Sequence, residues 1–324
     1  MIVVCGEALV DLVPCASASA TNEALRPLCP RLGGSPYNVA VALGRLDVPV
    51  RFLSRLSVDP FGDAMIRQLG EATVDTSLVQ RSAEPTALAV VGLEPDGSAR
   101  YTFHLAGTAD RLVADPGQLS ADVHALSFGS VSLVLEPAAS VYEAVLHREA
   151  ESGKLIMLDP NVRSMLIPDA DEYRRRFESW LPDVGLLKLS VEDAQWLGGM
   201  QDPVLAARRW QRQGPAAVVL TCGTDGLTAV FGSGELVHVP SVTVNVVDTI
   251  GAGDTVQAAL LAWLDRHDRL SAQGLGELAA DDWVDALRFA ATAAGITCTR
   301  SGAESPRPTE IQQYQNVLDW AAQA

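Results

Sequence analysis

The sequence predicts an α/β fold in which helices cover both faces of a mostly parallel sheet. Three observations carry this. Short strands alternate with helices from Ala125 onward. Those strands are continuous apolar runs, the pattern of strands buried on both faces. One stretch breaks the alternation: Glu94-Pro95-Asp96-Gly97-Ser98 is a strong turn between two strand-like runs, and marks a small β appendage.

Ile2 to Gly6 reads as a buried first strand. Residues 14–32 are rich in Pro, Ala and Ser, lack periodicity and belong with the appendage. A helix spans Val39 to Leu46, opened by Gly33-Gly34-Ser35-Pro36, and a strand follows at Val50 to Ser54. Gly62 to Glu71 is the next helix. Thr86 to Leu93 and Arg100 to Leu105 form the hairpin. Strands at 125–128, 155–159, 186–189 and 218–221 then alternate with helices at 137–151, 172–180 and 191–197. Helices at 254–264 and 283–292 close the chain. No repeat or linker divides it, so residues 1–324 read as a single domain.

The chain has 24 Lys and Arg against 40 Asp and Glu, a formal net charge of −16. That balance argues against nucleic acid as a partner, which is bound by clustered basic residues. No apolar run approaches the roughly 20 residues of a membrane span. Met1 to Asp11 lacks a basic segment and carries Glu7 and Asp11, so it does not read as a secretory signal. The five cysteines are scattered and form no CxxC pair. They suggest neither zinc nor a disulfide framework, and the expected setting is the reduced cytoplasm.

The sharpest motif is Asp248-Thr249-Ile250-Gly251-Ala252-Gly253-Asp254-Thr255, followed by an apolar helix. A helix start has unpaired N–H groups and a positive dipole end, which together favour an anion. A carboxylate there would repel phosphate, which suits Asp254 to act as a general base beside a phosphoryl group. The plainer reading is a turn with Asp254 as N-cap. Other phosphate motifs fail. A Walker A loop needs GxxxxGK[ST], and neither of the two lysines, Lys154 and Lys188, fits it. GxGxxG would need glycine at Val256.

Gly33-Gly34-Ser35-Pro36-Tyr37-Asn38-Val39-Ala40 opens a helix near the N-terminus. Paired glycines permit close approach of a ligand, and Asn38 offers both donor and acceptor. Asp11 lies just beyond the first strand, where open α/β sheets bind ligands. Asp with Asn suits a polyhydroxylated ligand; a capped helix and a turn aspartate are the alternative.

Together the two motifs resemble the ribokinase (PfkB) family of carbohydrate kinases, and the resemblance runs along essentially the whole chain. The opening Cys5-Gly6-Glu7-Ala8-Leu9-Val10-Asp11 and Gly107-Thr108-Ala109-Asp110-Arg111 resemble bacterial fructokinases within it. The resemblance implies a Rossmann-like, ribokinase-like domain with a small β-sheet lid contributed by about 12–33 and 86–106. It implies ATP as donor, Mg²⁺ and a sugar hydroxyl as nucleophile. Asp254 matches the family's base, and Gly251, Ala252 and Gly253 its anion hole. Asp11, Gly33, Gly34 and Asn38 match sugar-binding positions, and Arg163 an arginine near sugar and phosphate.

The family's NxxE motif is altered. It reads Ser190-Val191-Glu192-Asp193 here, so Asp193 takes the Mg²⁺ role with Glu192 beside it; a solvated helix face is the alternative. Lys188 stands to neutralise phosphate or to be a strand-end surface charge. Thr221 to Gly226, with Gly223, resembles the nucleotide loop or an ordinary turn. Asp248 and Ile250 match positions that hold a monovalent cation such as K⁺ in some relatives. Tyr101 and Phe103 alternate with Arg100 and Thr102, so one face of the hairpin stands over the sugar or simply packs the lid. The expected activity is fructose phosphorylation by a homodimer. A carboxylate-binding Arg100 keeps 2-keto-3-deoxygluconate as an alternative substrate. A non-catalytic sugar- or nucleotide-binding regulator is the alternative from another class, though it would be free to lose Asp254.

Overall fold

The computed structural model describes residues 1–15, 27–93 and 99–323. Among them two sheets form. The larger contains nine strands and is built around β1 (Ile2–Cys5). The smaller contains four, beginning with β2 (Leu9–Pro14) and its antiparallel partner β3 (Leu28–Gly33).

After β3 comes α1 (Ser35–Arg45), then β4 (Val50–Ser57), which lies parallel beside β1. α2 (Pro60–Glu71) leads to β5 (Val79–Ser82) at the sheet edge. The chain returns to the small sheet for β6 (Ala87–Leu93) and β7 (Ala99–His104), giving the order β3-β2-β6-β7. The predicted hairpin is thus present, with its turn at 94–98 outside the described residues.

β8 (Ala125–Gly129) then pairs with the other side of β1. α3 (Ala138–Glu151), β9 (Leu155–Asp159), α4 (Ala170–Trp180), β10 (Leu186–Ser190), α5 (Val191–Gly198), α6 (Pro203–Gln211) and β11 (Ala217–Thr221) extend it in parallel. β12 (Leu227–Phe231) and β13 (Glu235–Val239) finish this edge antiparallel. Last come α7 (Ala252–Arg266), α8 (Ala272–Gly276), α9 (Ala280–Cys298) and α10 (Pro308–Gln323).

Strand alternation divides two cores. Ile2 and Val4 face one, with α1, α7 and α9; Val3 and Cys5 face the other, with α3, α4 and α6. Every residue of α7 from Asp254 to Leu264 is buried, because this helix is wedged between the sheet, α1 and α9. No helix among the described residues is long and apolar enough to cross a membrane.

Residues 28–33, in the stretch expected to join the β appendage, form a strand; Pro30 and Gly33 hide its pattern, and as an edge strand it tolerates proline. One expectation is corrected: Cys15 and Cys29 are joined by a disulfide, where the sequence suggested no disulfide framework. Antiparallel pairing of β2 with β3 sets Pro14 opposite Leu28 and brings the two cysteines to a Cα separation of 5.2 Å. Their spacing of 14 residues carries no such signal.

Candidate active site

Parallel strands all end at one rim, and β1 marks the point where the chain turns from one side of the sheet to the other. A cavity of about 670 Å³ opens there. Residues just after four strands line it: Glu7 after β1, Ser130 after β8, Asn161 after β9 and Glu192 after β10. Leu9, Asp11, Tyr101 and Phe103 of the small sheet form the opposite wall.

Two helix starts converge at its base. Gly251 precedes α7 with φ of 77°, and an added Cβ would lie 2.4 Å from that of Ala303, so glycine is required on both counts. Asp254, in the first turn of α7, is 8% exposed. Its Oδ1 accepts from Ser35 Oγ at 2.6 Å and its Oδ2 from Asn38 Nδ2 at 2.8 Å. Both donors lie in the first turn of α1, which packs on α7. Burial pushes the Asp254 carboxyl up, while Ser35, Asn38 and the Lys188 charge oppose that. The amides of Gly253 and Asp254 lack intrahelical acceptors at this helix start. That of Ala252 turns back to the Thr249 carbonyl at 3.3 Å.

On the small sheet, the Asp11 carboxylate lies across Gly33, where an added Cβ would come within 2.4 Å of Oδ2. The Asp11 carboxyl is raised to about 6, chiefly by burial; the Arg163 charge lowers it and the Asp254 charge raises it. Gly34 (φ 102°) passes the Glu7 carbonyl too closely for a side chain. Tyr101 and Phe103 stack with centroids 6.0 Å apart. Arg163 is exposed at the mouth, its Nη1 donating to Asn161 Oδ1 at 2.7 Å. The side chain of Arg100 lies outside the described residues.

Lys188 is buried, with Nζ donating to Asp159 Oδ2 at 2.5 Å, and it lines the cavity rather than the surface. Ser190 caps α5 by accepting from the Asp193 amide at 3.0 Å. Asp193 is raised to about 6, mainly by burial, then by the Asp159 charge, against the Lys188 charge. Its Oδ1 accepts from the Val162 amide at 3.1 Å. Glu192 and Thr221 also line the cavity. Gly223 and Gly226 do not; they shape a tight turn closed by the Cys222 amide on the Gly226 carbonyl at 2.8 Å. Asp248 faces a neighbouring cavity, and its carboxylate caps the amides of Ile250 (3.1 Å) and Gly302 (2.8 Å).

Among the described residues no cluster of three or more His, Cys, Asp or Glu could hold a metal. Mg²⁺ needs none, because it keeps waters and takes only one or two carboxylates beside substrate phosphates. Asp193 and Glu192 fit that demand, and buried Asp159 Oδ1 has no hydrogen-bond partner.

Residues 1–310 match the family described as pfkB family carbohydrate kinase. The chain belongs to that family. It is a carbohydrate kinase that uses ATP, with the ribokinase-like fold. It is similar to a fructokinase of Rhizobium leguminosarum bv. trifolii, 37% identical over 280 residues, covering 86% of this chain and 84% of the other. A structure of Xylella fastidiosa fructokinase with bound ATP superposes with a TM-score of 0.86 at 27% identity, covering 97% and 98% of the chains. A Vibrio cholerae O395 fructokinase with fructose, ADP and calcium ion does so at 0.79 and 26% identity, covering 96% and 97%.

The candidate site contains three residues that motif reading passed over. Ser35 sits inside the Gly-Gly motif, and its place before Pro36 marks a helix start. Glu7 and Asp159 each follow or end an apolar strand, where a lone carboxylate is the available signal.

Proposed function

We propose that this kinase phosphorylates fructose at a primary hydroxyl, giving fructose 6-phosphate. One observation carries the reading: Asp254 is clamped at the start of α7, below a wall holding Asp11, Tyr101 and Phe103. The sugar lies between them, with Asp11 accepting from two ring hydroxyls and Asn38 and the Gly33-Gly34 backbone within reach. Asp254 takes the hydroxyl proton as the new O–P bond forms. The bond from the γ-phosphorus to the ADP oxygen breaks on the opposite side. First-turn amides at Gly253 and Asp254, with Arg163, stabilise the charge on the transferring group.

The nucleotide enters by Thr221 and the turn through Gly223 and Gly226. Asp193 and Glu192 hold Mg²⁺, which supplies charge neutralisation on the phosphates when bound. Carbonyls near Asp248 and Ile250 take K⁺. The small sheet acts as a lid that excludes water and limits ATP hydrolysis. Its exposed Leu28 (39%) suits a homodimer joined through that sheet.

An ATP-consumption screen against fructose, 2-keto-3-deoxygluconate, ribose and a nucleoside tests the assignment. Highest kcat/KM on fructose is expected. Preference for the sugar acid would transfer it to that substrate, and turnover of none would favour a binding protein without catalysis.

A further inference from the structure

β9 and β10 end side by side in a buried ion pair. Their register pairs Leu186 with Met157 and Leu187 with Leu158, so Lys188 and Asp159 come next. Strand parity puts both on the face that Met157 and Leu186 present to the core around α7. Its other buried polar contact nearby is neutral, Gln257 Nε2 donating to Ser127 Oγ at 2.8 Å. Lys188 is 4% exposed and Asp159 1%.

A buried ion pair is no general gain in stability, because desolvation offsets the attraction and an apolar pair commonly does as well. Three features give this one another purpose. Lys188 Nζ lies 3.1 Å from where a Cβ would stand on Gly253, so its ammonium touches the first turn of α7. It lines the cavity beside Gly253 and Asp254. And Asp159 uses only Oδ2 on the lysine, leaving buried Oδ1 without a partner. An ammonium at the positive end of a helix dipole is unfavourable unless an anion sits with it. Asp159 supplies one anion; a phosphoryl group in the cavity would supply another.

We propose that Lys188 is a side-chain member of the phosphoryl-binding hole at the start of α7, and that Asp159 is the positioning residue holding its ammonium there. Gly253 is then glycine for space, since a methyl group would displace the ammonium. This deepens the kinase reading, as it rests on phosphoryl transfer occurring in this cavity.

The test compares ADP with ADP plus aluminium fluoride, a planar phosphoryl mimic, by calorimetry with Mg²⁺ and fructose present. The variants are Asp159→Asn, Lys188→Met, both together, and Gly253→Ala. ADP affinity should stay within about threefold throughout. Affinity for the fluoride complex should fall at least about 100-fold in Lys188→Met and about tenfold in Asp159→Asn and Gly253→Ala, in line with the loss of one oxyanion donor. The double variant should be no weaker than Lys188→Met, because Asp159 acts through the lysine. It strands no buried charge, so it serves as the folded reference, checked by thermal unfolding. Equal losses for ADP and the fluoride complex, additive losses in the double variant, or no gain from aluminium fluoride in the unmodified enzyme would each overturn the proposal. Failure to phosphorylate fructose would instead remove the substrate assignment, and the fluoride comparison repeated with the sugar that is turned over would decide Lys188.

Discussion

Ser35 donates a 2.6 Å hydrogen bond to Asp254 across 219 residues of sequence. Each residue opens a helix, and the two helix starts meet at the floor of one cavity. The bond fixes one carboxylate oxygen and leaves the carboxyl group raised by burial, as a base for an alcohol needs. Asn38 fixes the other oxygen.

Asp254→Asn keeps the shape and both neighbours but cannot accept a proton. Steady-state kinetics should show kcat down on the order of 10²–10⁴-fold. ATP affinity, measured separately, should change little. Near-normal turnover would remove Asp254 as base.

Ser35→Ala removes a donor that holds the Asp254 carboxyl down. That carboxyl should then rise further, so the base is protonated at higher pH. The acidic limb of kcat/KM should move to higher pH, with kcat lower by roughly 10–100-fold for a lost hydrogen bond to a charged group. A pH–rate profile of variant and parent decides it; an unmoved limb would count against the clamp.

Burial raises the Asp11 carboxyl to about 6. Below that pH it is protonated and loses acceptor capacity for sugar hydroxyls. KM for fructose should therefore rise as pH falls through 6, and Asp11→Ala should raise it roughly 10–100-fold at neutral pH. A KM for ATP that rises equally would show a role other than sugar binding.

Glu7 is raised from 4.5 to about 7, first by burial, with the Asp110 charge adding to it and hydrogen bonds from its own amide, Ser130 and Ser132 opposing it. A group raised on folding contributes stability that is full below its unfolded pKa and lost as pH rises through the folded one. Melting temperature should thus decline between about pH 5 and 8, and Glu7→Gln should make that slope shallower. An unchanged slope in calorimetry would show that Glu7 does not titrate there.

The layered α/β plan was legible because apolar strands and amphipathic helices announce themselves locally. Ile2–Cys5, Leu155–Asp159 and Leu186–Ser190 lie where the pattern puts them. β12 and β13 were not, since five-residue strands beside glycine turns carry little periodic signal. β3 was legible only as part of the appendage, because Pro30 inside a strand is allowed only by its edge position.

The sequence alone determined the two helix-opening glycine motifs, and with them a candidate anion hole beside a carboxylate. Only the tertiary structure decided which residues meet. It set Ser35 and Asn38 on Asp254, Lys188 on Asp159 beside Gly253, and Cys15 on Cys29. The physical reason is that parallel strands from distant parts of the chain end at a common rim. Residues far apart in sequence become neighbours through strand register and helix packing, and no local spacing encodes that.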